Sequence, residues 1–122
     1  MGQLMAAALL LAVALCWIPA GADAAEVLQV RSGRLLQVGD QNRSYSIELA
    51  CLNPSQERDA EAAQWLRQQL PRRTRVNLRP QGQRDGLLIA RVQPLSGPQA
   101  GSDLSQGLIA AGLASGLPHC QA

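Results

Sequence analysis

Apolar and polar positions alternate along most of this chain, and the period of that alternation changes twice. Residues 27–30 and 35–38 are short apolar runs separated by Arg31-Ser32-Gly33-Arg34 and followed by the turn-forming run Gly39-Asp40-Gln41-Asn42, a strand and turn pattern. From Ser44 to Cys51 the period is two. Tyr45, Ile47, Leu49 and Cys51 fall on one face and Ser44, Ser46 and Glu48 on the other, as in a strand with one buried side. After Asn53-Pro54-Ser55 the period lengthens to that of a helix. Glu57 to Leu70 places Ala62, Ala63, Leu66 and Leu70 on one stripe with Trp65 beside it, and Pro71 stops the helix. Thr74–Leu78 and Gly86–Val92 return to strand character, with Gln81-Gly82-Gln83-Arg84-Asp85 as the connection. A Pro- and Gly-rich loop from Pro94 to Gly101 leads to a last helix with Ser102 and Asp103 as candidate caps. Its apolar positions are Leu104, Leu108, Ile109 and Leu113, and Gly116 ends it. Five strands, a helix between the third and fourth, and a second helix at the C-terminus are the order of a five-stranded OB-fold barrel, mainly β with helices (α+β).

The first residues do not fit that pattern. Leu4 to Ile18 is almost wholly apolar, Pro19 follows, and Ala22-Asp23-Ala24 has the small-x-small form of a processing site. The run is about fifteen residues, shorter than the roughly 20 of a membrane-spanning helix. The expectation is a signal peptide over residues 1–24, cleaved after Ala24, and one domain over 25–122. Met1-Gly2-Gln3 carries no Lys or Arg, so the leader's positive charge rests on the amino terminus. A lipoprotein reading through Cys16 is disfavoured by the bulk of Leu15. The mature form is expected to be periplasmic or secreted, without a membrane segment.

Charge and cysteine content sharpen this picture. Of the 9 acidic residues Asp23 leaves with the signal, and the 11 basic residues are all Arg. Arginine presents a planar fork that suits phosphate and carboxylate, so the surface is suited to anionic partners, although GC-rich coding gives the same composition. Cys51 and Cys120 are the two cysteines of the mature chain, and in an exported protein an even pair reads as one disulfide.

In order and spacing these segments resemble the staphylococcal nuclease-like (thermonuclease) family over nearly all of the mature length. The family's V-x-D-G-D-T-L-x-V stands against Val30-Arg31-Ser32-Gly33-Arg34-Leu35-Leu36-Gln37-Val38, and its V-R-L-x-G-I-D-A-P-E against the run from Ile47-Glu48-Leu49 to Asn53. Ala62 to Leu70, Val76-Asn77-Leu78 and Gly86 to Val92 follow the next three motifs. The C-terminal L-x-x-x-L-V-x-x-G-L-A is matched by Leu104 to Ala114. The resemblance implies an OB barrel and Ca2+-dependent phosphodiester hydrolysis, in which strand acids hold the ion, two arginines bind the phosphate and a glutamate activates water.

At each of those positions this chain departs from the family. The metal-ligating acids fall on Ser32, Arg34 and Asn53, the general-base glutamate on or near Gln56, and the two phosphate arginines on Glu48 and Leu87. A cation at Arg34 repels Ca2+, whose binding needs several oxygen ligands, and a carboxylate at Glu48 repels phosphate. An Arg34–Glu48 ion pair across the barrel mouth is the expected consequence. The loop before the first helix is shorter than the family's, so Glu57 is the fallback general base.

Other chemistry has little support. His119, the single histidine, sits in the tail beside Cys120 and reads as a surface residue, and Asp85-Gly86 reads as a turn. OB barrels that hold single strands combine a basic groove with aromatic platforms, and the mature chain offers Tyr45 and Trp65, both expected inward. The best anion-binding candidates are Arg72, Arg73, Arg75 and Arg79, whose ordinary alternative is a solvated turn. The resulting expectation is an exported thermonuclease-like barrel without nuclease activity or cofactor. It would serve as a binding module for an anionic or protein partner, nucleic acid through the Arg patch among them. The competing class is a divergent Ca2+-dependent phosphodiesterase that rebuilds its site from Asp40, Glu57, Asp59 or Asp85.

Overall fold

The computed structural model describes residues 24–53, 57–118 and 120. The expected signal segment up to Asp23, Gln56 and His119 lie outside the described residues. The strands are β1 (Ala24–Val30), β2 (Leu35–Asp40), β3 (Arg43–Leu49), β4 (Arg75–Arg84) and β5 (Leu87–Pro94); helix α1 spans Asp59–Gln69 and helix α2 Leu104–Ala110. They close into a barrel in the order β1-β2-β3-β5-β4, with β4 returning to β1. Only β3 and β5 run parallel, and α1 and β4 lie between them in sequence, as a parallel pairing requires a crossover. This is the OB-type barrel that the order of elements implies.

Alternation builds the interior. Val27, Leu36, Val38, Ile47, Val76, Ala90 and Val92 project inward from all five strands and are buried, with Leu66 of α1 and Leu104 and Leu108 of α2 joining the same core. Tyr45 and Trp65 are half-buried against it. A β-bulge in β1 between Val27 and Gln29 shifts the phase, which explains how both Val27 and Val30 reach the core.

The largest departure from the expected elements is β4. The run Gln81-Gly82-Gln83-Arg84 is strand, not loop: β4 continues to Arg84 and pairs with β5 along its length, absorbing one extra residue in a bulge between Pro80 and Gly82. Asp85 and Gly86 alone make the turn, both at positive φ (53° and 80°), the backbone of a two-residue hairpin. The strand sequence is polar because its outer half faces water. β3 ends at Leu49, two residues earlier than the alternation implies. Cys51 is buried, but it sits in a turn at φ 69° rather than on the inner face of a strand. Asp103 caps α2, its carboxylate accepting the Gln106 N–H at 3.3 Å; the helix ends at Ala110, before Leu113. β1 begins at Ala24, opposite Asn77, so the strand includes the residue before the expected cleavage point.

The C-terminal tail is anchored to the segment after β3. The Asn53 N–H donates to Ser115 O (2.8 Å), the Leu117 N–H donates to Cys51 O (3.0 Å), and Leu52 bridges Gly116. The Cys51 and Cys120 sulfurs are at bonding distance, with the Cα atoms 5.5 Å apart. Among the described residues no helix is long and apolar enough to cross a membrane.

Candidate functional site

The β1–β2 loop and the side chain of Arg84 from β4 converge on the end of β3, and this region holds most of the positions to which the family resemblance assigns chemistry. Leu35 and Ile89 flank Glu48 in register on the outer surface. Period two should leave a residue on that side in water, yet Glu48 is buried. The cause is a cover of two guanidinium groups. Arg34 Nη1 lies 3.8 Å from one Glu48 oxygen, and Arg84 Nη2 donates to both. Arg34 stands at the end of the β1–β2 loop and Arg84 at the end of β4, directly opposite Leu87. The Arg34–Glu48 pair is the one that the sequence implies. Its second cation, Arg84, is hidden from sequence reasoning by the reading of residues 81–85 as a loop; the Asp-Gly hairpin signal is the feature that would have placed it.

The loop that carries Arg34 is fixed from the helix side. The Gly33 N–H donates to Asp59 Oδ1 at 3.0 Å, and a Cβ at Gly33 would stand 2.8 Å from Ala62 Cβ and the Asp59 carbonyl. Glycine is required there because α1 packs directly on the loop. Asp59 is thereby a structural acceptor. Glu57 is exposed in the turn before α1. Asn53 is held through its backbone to the tail, and Leu87 is half-buried at the start of β5.

A Ca2+ ion of the family type does not fit these residues. The carboxylate of Glu48 is committed to two guanidinium groups, a cation, Arg34, stands where the resemblance implies an acidic ligand, and Asp59 Oδ1 accepts a backbone hydrogen bond. Of the alternative acids, Asp40 ends β2 at the opposite end of the barrel and Asp85 is in the β4–β5 turn. Among the described residues no three His, Cys, Asp or Glu side chains converge as a metal-binding group.

The arginines expected to form an anion patch divide between separate places. Arg73 and Arg75 line one cleft of about 650 Å³ at the opposite end of the barrel, where Arg43 joins them from the start of β3. Arg72 lines a different groove, with Arg67, Leu70 and Pro71. Arg79 shares the outer side of β4 with Arg75, four residues and about 13 Å along the strand. The sequence cluster of Arg72, Arg73, Arg75 and Arg79 is therefore not one surface feature, and Arg43 is the member that local sequence does not reveal. Arg73 lies 3.8 Å from Glu26, the residue opposite Arg75 in the sheet.

A third polar group lies beside the disulfide. Arg91, on β5, donates to Asp103 Oδ2 at 2.8 Å, and its other terminal nitrogen is 3.3 Å from Cys51 Sγ. Ser105 Oγ donates to Ala50 O at 2.7 Å. This network joins α2, β5 and the post-β3 turn and is buried among them, a structural arrangement. On the surface, Arg58 pairs with Glu61 and donates to Gly112 O at 3.0 Å; the pairing lowers the Glu61 carboxyl below its ordinary range. The hydroxyl of Tyr45 is pushed above the ordinary tyrosine value, first by burial and then by the negative charge of Asp40, with Arg43 opposing.

A scan of the sequence against protein-family models finds no match, and a search among characterised proteins finds none either.

Proposed function

We propose that this chain is an exported, thermonuclease-like OB barrel that has lost phosphodiester hydrolysis and acts as a binding module for an anionic or protein partner. The observation that supports this most is Glu48 buried under Arg34 and Arg84. At the position where the resemblance implies a phosphate-binding arginine the barrel carries a carboxylate, and where it implies a metal-binding acid it carries a cation. Charge is inverted at both, and the two inverted groups neutralise each other. A site of this kind neither attracts a divalent ion nor leaves an empty phosphate position. The bonded cysteine pair and the apolar leader support export, since disulfides persist in oxidising compartments.

Binding then rests on arginines outside that cluster. Arg72, Arg79, Arg43 and Arg75 have no side-chain ion pair among the described residues, whereas Arg34, Arg84, Arg58 and Arg91 are each paired with an acid. Association with an anionic partner through such groups weakens as salt rises.

The test is a pair of measurements on the same preparation. Thermal unfolding with and without millimolar Ca2+ should give the same midpoint, and retention on an anionic matrix should fall steeply with salt without any metal. A midpoint that rises with Ca2+ would favour the divergent phosphodiesterase, with Asp40, Glu57, Asp59 or Asp85 as ligands.

A further inference from the structure

The cleft at the far end of the barrel has a composition that the charge-inverted cluster lacks. Arg43 opens β3, Arg75 opens β4 and Arg73 ends the turn before it, so three guanidinium groups reach one concave surface from elements that are distant in sequence. The β2–β3 turn supplies Asn42 and the start of β3 supplies Ser44, both lining the same space, and Glu26 and Asp40 form part of its wall. Arg73 takes φ 73°, a backbone conformation uncommon outside glycine and asparagine. Its N–H donates to Val27 O at 2.7 Å, which anchors the turn to β1 and fixes where the side chain leaves it.

We infer that this cleft is a binding site for a small phosphate monoester of a hydroxylated molecule, of the sugar-phosphate class. Three features select that chemistry. The guanidinium forks of Arg43 and Arg75 are uncommitted among the described residues and match the oxygens of a phosphoryl group bidentately. Glu26 and Asp40 are acceptors that a polyanionic strand would meet as repulsion and that hydroxyl groups would meet as hydrogen-bond partners. The volume of about 650 Å³ is that of a site for one small molecule, and Leu28 is the single large apolar side chain on its wall, so no ring stacks there as a nucleobase would require. The inference does not depend on whether hydrolysis at the other end of the barrel is lost.

Isothermal titration of the purified chain with a hexose 6-phosphate, with the unphosphorylated hexose and with inorganic phosphate tests it. The hexose phosphate should bind saturably and more tightly than inorganic phosphate, and the free sugar should not bind. Arg75→Gln and Arg43→Gln should each weaken the hexose phosphate about tenfold, the contribution of a charge-assisted contact, whereas Arg31→Gln, in the β1–β2 loop and outside the cleft, should leave it unchanged. Asp40→Asn should weaken the sugar phosphate and not inorganic phosphate. Arg75 is exposed at a strand end, so its variant keeps the fold; Trp65 fluorescence checks this in each case. Absence of saturable binding, an equal loss in Arg31→Gln, or tighter binding of a short single-stranded oligonucleotide at the same residues would overturn the proposal.

Discussion

Replacing Glu48 separates a structural ion pair from an electrostatically costly one. In Glu48→Gln the size is kept and the charge removed, leaving Arg34 and Arg84 as cations without their partner. Removing one member of a fully buried pair costs about 3–5 kcal/mol. Here the carboxylate is 7% exposed but the guanidinium of Arg34 is 26% and that of Arg84 52% exposed. Both cations regain water when the carboxylate goes, which reduces the loss to about 2 kcal/mol, between the buried range and the 0–1 kcal/mol of a surface pair. For a domain of this size that lowers the melting midpoint by about 8–16 °C. Glu48→Leu removes the desolvation of the carboxylate as well and sets an apolar side chain between Leu35 and Ile89, its neighbours in register. Its stability should lie within about 1 kcal/mol of the parent. Urea unfolding followed by Trp65 fluorescence measures both, and Arg84→Ala in the two backgrounds gives the coupling. A harmless Glu48→Gln with a Glu48→Leu destabilised by more than about 3 kcal/mol would refute the reasoning, because it would mean that the hydrogen-bonding shape of residue 48, not its charge, is what the arginines hold.

Two further predictions concern the tail and Tyr45 of β3. Cys51 and Cys120 are separated by 69 positions, and closing a loop of that length contributes about 4 kcal/mol through the unfolded chain; reduction, or Cys120→Ser, should therefore lower unfolding free energy by that order, and a loss under about 1 kcal/mol would show that the bond contributes only locally to tail docking. Tyr45 is the single tyrosine, and burial raises its hydroxyl above the ordinary value of about 10. Because the folded value exceeds the unfolded one, the associated stability is present below the unfolded value and is lost as pH rises through the folded value; phenolate absorbance should show a midpoint above 10, and a midpoint at or below 10 would place the hydroxyl in water.

The barrel was legible in the sequence because its core strands obey period two and its helices period 3.6, and the inward positions Val38, Ile47 and Val76 need nothing beyond that alternation. β4 was not legible. Its outer half, Pro80 to Arg84, has no apolar alternation, and it is strand only because β5 pairs with it and a bulge takes up the extra residue. Everything that depended on this segment was missed with it, above all the second cation on Glu48. The ion pair of Arg34 with Glu48 was readable because the resemblance implies that both positions line one site, and Leu35, next to Arg34, does stand opposite Glu48. The arginine cluster failed differently: Arg72, Arg73, Arg75 and Arg79 are near in sequence, but a turn and a strand send them in different directions, and Arg43 reaches Arg73 and Arg75 only through closure of the barrel. Alternation places Cys51 inward, and it is buried for another reason, in the turn to which the tail is bonded.

The central claim is the loss of hydrolysis through charge inversion at Arg34 and Glu48. It is tested most directly by incubating the folded chain with denatured DNA and with RNA, with and without millimolar Ca2+, and following strand cleavage. The account predicts no cutting above the metal-free control. Ca2+-dependent cutting that disappears in Glu57→Gln would contradict it, because a relocated general base would then be at work beside a cluster that the structure shows closed by two arginines.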